Sequence, residues 1–153
     1  MKKKDFEMFE KKIDYSFKNK KLLEEALTHK TFAFEADLPL EYNERLEFLG
    51  DSILNFIVAE QLYKSNIYFS EGELTRRRSI GVNNNFLAKI SKKLDIGKYL
   101  LLGKGEKKQN GANNRTNLAN SLEALIGAIY LDSNIDFVRE FILNKIFDKK
   151  YKF

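Results

Sequence analysis

The chain has 153 residues, a length suited to one compact domain rather than two, and 43% of them are hydrophobic, enough for a core without staples. The absence of cysteine excludes thiolate zinc sites, cysteine nucleophiles and a disulfide framework. No apolar run has the length of a membrane span, and Met1-Lys2-Lys3-Lys4-Asp5 leads into no signal-peptide core, so the expectation is a soluble cytoplasmic protein with no membrane partner.

Net charge is +5, with a pI near 9.2. The basic residues gather at Lys2 to Lys4, Lys18 to Lys21, Arg76 to Arg78, Lys104 to Lys108 and Lys149 to Lys152. Each run alone reads as solvated surface. Together, around an acidic cluster, they give the charge layout of an enzyme that handles nucleic acid: cations for phosphates, carboxylates for metal.

Glycine and proline are sparse, eight and one, and apolar residues recur at three and four, which predicts helices rather than sheet. A first helix is expected near 5–13, with Phe6, Phe9 and Ile13 on one side, and a second over 20–28 through Leu22, Leu23, Ala26 and Leu27. The segment 33–42 holds the only proline, Pro39, and reads as a loop. A long helix follows over 43–64. Ser70-Glu71-Gly72-Glu73 has the form of a capping box and opens a helix to about residue 80. Another helix is expected over 84–94. The stretch 102–117, rich in Gly, Asn and Lys, reads as a mobile basic loop. An apolar helix over 117–131 and an amphipathic one over 135–147 complete a single all-α domain spanning 1–153.

The long helix carries the most informative pattern. Glu44, Glu47 and Asp51 stand at i, i+3 and i+7 and share one narrow stripe. Leu46, Leu49, Ile53, Phe56 and Ile57 fill the opposite arc, and Phe48 lies just beyond the acids on the other side. A helix apolar nearly all round is normally buried, so these carboxylates are expected near low-dielectric surroundings, where they repel one another and call for a cation or a proton. A first-turn acid such as Glu44 is explained by the helix dipole alone. Asp51 beside Gly50, two turns in, is not, since both are poor mid-helix residues.

In the later apolar helix Glu123 is the only formal charge between Leu118 and Ala128, with Asn120 one turn before it. Gly127 and Ala128 permit a close helix neighbour. If the two helices pack together, Glu123 and Asn120 join Glu47 and Asp51 around one point, a set of hard oxygen donors suited to Mg²⁺ or Mn²⁺.

Asn43-Glu44-Arg45-Leu46-Glu47-Phe48-Leu49-Gly50-Asp51-Ser52 resembles the signature motif of the ribonuclease III catalytic domain. Ala26-Leu27-Thr28-His29-Lys30 is similar to the preceding family motif. Glu71-Gly72-Glu73-Leu74-Thr75 with Arg78 and Val82-Asn83, and then Leu102-Gly103-Lys104-Gly105-Glu106 with Leu118 to Asp132, are similar to the segments that follow. The resemblance runs in order over about residues 10 to 147. It implies an all-helical homodimer and a metal-dependent endonuclease for double-stranded RNA, acting in RNA processing or maturation, including that of rRNA. It places Glu47, Asp51, Asn120 and Glu123 at metal-binding positions, with Asp51 and Glu123 catalytic, and Glu44 and Glu71 in a wider acidic valley. Mg²⁺ is the implied cofactor, with Mn²⁺ able to substitute. Phe48 matches a residue that inserts into the partner subunit, and Arg78, Lys104 and Lys107 are expected at the RNA.

Two departures from the family pattern matter. Asn120 stands where the family has aspartate, offering a neutral oxygen in place of a charge. The chain also stops at Phe153, where bacterial members continue into a double-stranded RNA-binding domain, so that module is expected to be absent. The competing reading is a catalytically silent RNA-binding or scaffold protein of the same fold. A di-iron bundle fails, because it wants Glu-x-x-His pairs and the sole histidine, His29, is in none. His29 is expected to be a hydrogen-bonded structural residue.

Overall fold

The structure is a computed structural model that describes residues 3–37 and 39–147, with side chains from Phe6 onward. The basic runs expected at Lys2 to Lys4 and Lys149 to Lys152 lie outside the described side chains. Among the described residues nine α-helices follow in chain order: α1 (Lys3–Ile13), α2 (Lys20–Leu27), α3 (Lys30–Phe34), α4 (Glu44–Ser65), α5 (Glu71–Gly81), α6 (Asn84–Lys93), α7 (Lys104–Lys108), α8 (Arg115–Asp132) and α9 (Ile135–Phe141). Two 3-10 turns, Ile96–Lys98 and Gly111–Asn113, and a π-helical turn, Ile142–Ile146, complete the described residues. Among them there is no strand, only an isolated bridge between Thr28 and Leu101. The all-α expectation holds.

Helix α8 is the axis of the domain. Asn114 caps it by accepting the N–H groups of Thr116 and Asn117. From Leu118 to Ile129 only Asn120 escapes burial. A helix so apolar on every side is stable only at the centre, and α2, α4 and α6 pack around it. Its closest neighbour is α4, and glycine sets that distance. A Cβ on Gly50 would lie 1.7 Å from the carbonyl oxygen of Glu123, and one on Gly127 would lie 2.4 Å from that of Leu46. The two helices therefore cross backbone against backbone.

Helix α5 opens with the expected capping box: Ser70 Oγ accepts from Glu73 N–H, and the Glu73 carboxylate accepts from Ser70 N–H. Three expectations need correction. The segment 33–42 is not loop throughout, because His29 caps a short helix, α3, that runs to Phe34. The stretch 102–117 is not a mobile loop. It is α7, a 3-10 turn and the start of α8, held by Glu35, whose carboxylate accepts Lys104 N–H at 2.9 Å, and by Glu106, which accepts Asn117 Nδ2 at 2.7 Å. Nor is α4 buried all round: Phe48, Phe56 and Tyr63 are 77%, 54% and 73% exposed. Helix α8 covers one flank of α4 and leaves an apolar stripe on the other.

His29 is structural, as expected. Its backbone N–H donates to Leu101 O at 3.0 Å, and its Nδ1 accepts from Thr31 N–H and pairs with Thr31 Oγ1. The same strap ties Leu101 N–H to Leu27 O and Asn43 N–H to Thr28 O. It thereby joins the start of α4 to the α7 segment.

Candidate active site

The crossing at Gly50 and Gly127 brings the acidic stripe of α4 against the polar positions of α8. Glu123 is 7% exposed, and no ion pair reaches it among the described residues. Its carboxyl is pushed up to about 8, first by burial, then by the nearby charges of Asp51 and Glu47. Glu47, half-buried, is also raised. Burial is the main cause, Glu44 and Asp51 add to it, and a side-chain hydrogen-bond interaction with the Asn120 amide opposes it. Glu47, Asp51, Asn120 and Glu123 are thus one electrostatic group.

Asp51 is exposed and accepts from Asn55 Nδ2 at 2.8 Å. Glu44, at the edge of the group, is paired with Lys30 at 2.9 Å. Lys30 also lowers Glu47 and, among the described residues, is the one cation among the main charges acting on Glu47 and Glu123. Glu71 stands apart within the protomer. It begins α5, accepts from Thr75 Oγ1 at 3.1 Å, and is not among the charges acting on Glu47 or Glu123.

The remaining expected residues line the surroundings. Arg78 borders a groove of about 430 Å³ between α4 and α5, with Phe56, Glu60, Tyr63, Leu74 and Thr75. Lys104 and Lys107 are exposed on α7. Phe48 borders a second hollow, about 660 Å³, with Glu25, Arg45, Leu49 and Leu131. Sequence reasoning missed Lys30 and Asn55 at the site. The signal for Asn55 was present, since it continues the acidic stripe at i+11 from Glu44. Lys30 sits inside a quoted motif but carries no periodicity of its own.

The donor set suits a hard divalent cation: carboxylates outnumber cations, and the most buried one is held against ionisation. As they stand, no three acidic or imidazole side chains among the described residues converge closely enough to enclose an ion. The fit therefore lies in the chemistry of the donors rather than in a closed cage.

The raised Glu123 gives a testable pH dependence. Unfolded, this carboxyl releases its proton near 4.5; folded, it does so near 8. Between those values the folded protein holds the extra proton, so metal-free stability falls as pH rises, by at most about 1.4 kcal/mol per pH unit, and levels off above about 8. Melting curves in chelator should show this decline, and Glu123→Gln should flatten it. A decline that survives the substitution would belong to another group.

Residues 19–150 match the family model described as Ribonuclease-III-like. A protein named Ribonuclease 3 from Nitratiruptor sp. is 45% identical over 148 residues, covering 97% of this chain and 63% of that protein. Ribonuclease 3 of Buchnera aphidicola from Acyrthosiphon pisum is 48% identical over 141 residues, covering 92% and 59%. Among solved structures, the nuclease domain of ribonuclease III from Campylobacter jejuni superposes with a TM-score of 0.88 at 35% identity, covering all of this chain and 99% of that one. Dicer from Pichia stipitis gives 0.64 at 29% identity, covering 89% and 57%.

The chain belongs to the ribonuclease III family, and its fold is that of the family's nuclease domain. It spans about three fifths of the length of the full relatives it matches. No described helix is long and apolar enough to cross a membrane.

Proposed function

We propose that this chain is a metal-dependent endonuclease domain that hydrolyses phosphodiester bonds of double-stranded RNA as a homodimer, in RNA processing. The observation that carries the proposal is Glu123, buried without a cation at a helix crossing and facing Asp51 and Glu47. Glu47, Asp51, Glu123 and the neutral oxygen of Asn120 would hold Mg²⁺ or Mn²⁺. Such an ion, when bound, supplies a Lewis acid for the phosphoryl oxygens and an activated water at neutral pH. The chain's own residues do the rest. Lys104, Lys107 and Arg78 hold phosphates, the α4–α8 crossing keeps the acids in register, and Lys30 restrains Glu44 at the edge. Recognition of an A-form duplex rests on shape, phosphates and 2′-hydroxyls rather than base sequence. The test is cleavage of a plain RNA duplex with Mg²⁺. Binding that is insensitive to salt, or equal binding of single strands, would count against the duplex reading.

The homodimer is supported by Phe48, Phe56 and Tyr63, three large aromatic side chains left exposed on one side of α4. The nuclease domain of ribonuclease III from Campylobacter jejuni shows structural flexibility in a region involved in its dimer formation. Phe48→Asp should shift the protein from dimer to monomer mass in sedimentation while its helical circular dichroism is kept, because Phe48 is 77% exposed in the protomer and supports none of its core. An unchanged mass would place the interface elsewhere.

Asn120 favours a second reading, a silent RNA-binding protein of the same fold. Retention of Glu44, Glu47, Asp51, Glu71 and Glu123 weighs against it.

A further inference from the structure

Asn55 lies one turn beyond Asp51 on the stripe that runs through Glu44 and Glu47. It is half-buried, and its Nδ2 donates twice to one residue: to the Asp51 main-chain oxygen at 3.0 Å and to Asp51 Oδ1 at 2.8 Å. The first bond is how a mid-helix asparagine is commonly accommodated, by bonding the carbonyl four residues back. The second is not explained that way, because it grips the carboxylate itself. Amide orientation is set by the same chemistry: the oxygen turned toward Asp51 would oppose two acceptors.

The three carboxylates of the group are not equally restrained. Burial in the α4–α8 crossing holds Glu123 and partly holds Glu47, whereas Asp51 is exposed. An exposed side chain keeps its rotamer freedom unless a neighbour removes it. For Asp51 that neighbour is Asn55, its only side-chain hydrogen-bond donor among the described residues.

We infer that Asn55 is a positioning residue for Asp51: by occupying Oδ1 it fixes the carboxylate in one orientation and leaves Oδ2 as the oxygen presented to a divalent ion. The inference rests on the metal-centre reading above. Outer hydrogen bonds of this kind orient ligating carboxylates, and losing one typically weakens metal binding about 10–100-fold.

The test is a Mn²⁺ titration, following the free ion by electron paramagnetic resonance. It uses the parent chain, Asp51→Asn, Asn55→Ala and Asn55→Gln, each also carrying Asn120→Asp so that weak parental binding does not hide the effect. Asn55→Ala should weaken Mn²⁺ binding about tenfold or more. Asn55→Gln, which can reach a carboxylate four residues back, should recover most of the loss. In chelator, Asn55→Ala should not melt earlier than the parent, since alanine is the better helix former. On an RNA duplex it should lower kcat and leave KM unchanged. Unchanged Mn²⁺ affinity in Asn55→Ala, while Asp51→Asn abolishes binding, would overturn the inference. So would early melting without rescue by Asn55→Gln, because the role would then be structural. If Asp51→Asn also binds normally, the metal-centre reading itself is what fails, and the role of Asn55 falls with it.

Discussion

Asn120→Asp should raise cleavage of an RNA duplex by several orders of magnitude and, in chelator, lower the melting temperature. Both effects follow from one change of charge. At present the Asn120 amide opposes the rise of Glu47 and adds no charge to a group that already contains Asp51 and Glu123. An aspartate removes that donor and places a fourth carboxylate in a partly buried site, so the ion-free protein carries more self-repulsion. The same repulsion draws a divalent ion more tightly. A ligand bound only to the folded state stabilises it by about 2.7 kcal/mol when present at a hundredfold excess over its Kd. Addition of Mg²⁺ should therefore stabilise Asn120→Asp more than the parent and reverse their order of melting. Melting curves with and without Mg²⁺, beside a gel assay of cleavage, test both halves. If neither the metal response nor cleavage changes, Asn120 does not belong to the metal centre, and the silent reading gains ground.

Gly50→Ala is the second large effect, and its sign runs against local propensity. Within an exposed helix, alanine in place of glycine stabilises by about 1 kcal/mol. At Gly50 the new methyl would sit 1.7 Å from Glu123 O and 2.6 Å from its carbonyl carbon. Those are backbone atoms of the most buried helix and cannot step aside as a flexible side chain would. Overpacking of a tight core costs about 1–3 kcal/mol and sometimes more, and this contact belongs at the upper end. For a chain of this size a loss of about 3 kcal/mol lowers Tm by roughly 6–12 °C. The substitution also moves Glu123 away from Asp51, so cleavage should fall even below the melting transition. An alanine variant as stable as the parent would mean that the crossing is looser than described.

Much of the site was legible because its pattern is local. Three carboxylates at helical spacing announce one face, and a lone glutamate in an apolar helix announces a buried charge. The capping box at Ser70 is equally local and appears as read. What escaped the sequence depends on distant partners. Helix α7 consists of Lys, Gly and Glu, a composition that reads as loop; its first N–H is held by Glu35, 69 residues earlier in the chain. Gly50 reads as a helix breaker kept for chemistry, yet its immediate reason is steric, the backbone of α8. The exposure of Phe56 and Tyr63 was also out of reach, and that of Phe48 came only with the family resemblance. An apolar arc shows that a surface wants covering, not whether the cover comes from the same chain. Glu71 heads α5, and its link to the acids of α4 and α8 rests on the family motif alone.

The central position of α8 has a consequence for the order in which the protein comes into being. Helices α2, α4 and α6 are made first, and each has an apolar face whose partner is α8, which starts only at Arg115. During synthesis those faces wait, since domains generally fold as units once their long-range contacts can form. Asp51 and Glu47 likewise wait for Glu123. An incomplete chain therefore carries the acidic stripe without the crossing that organises it, and hydrolytic competence would arrive late, with the helix that also completes the core.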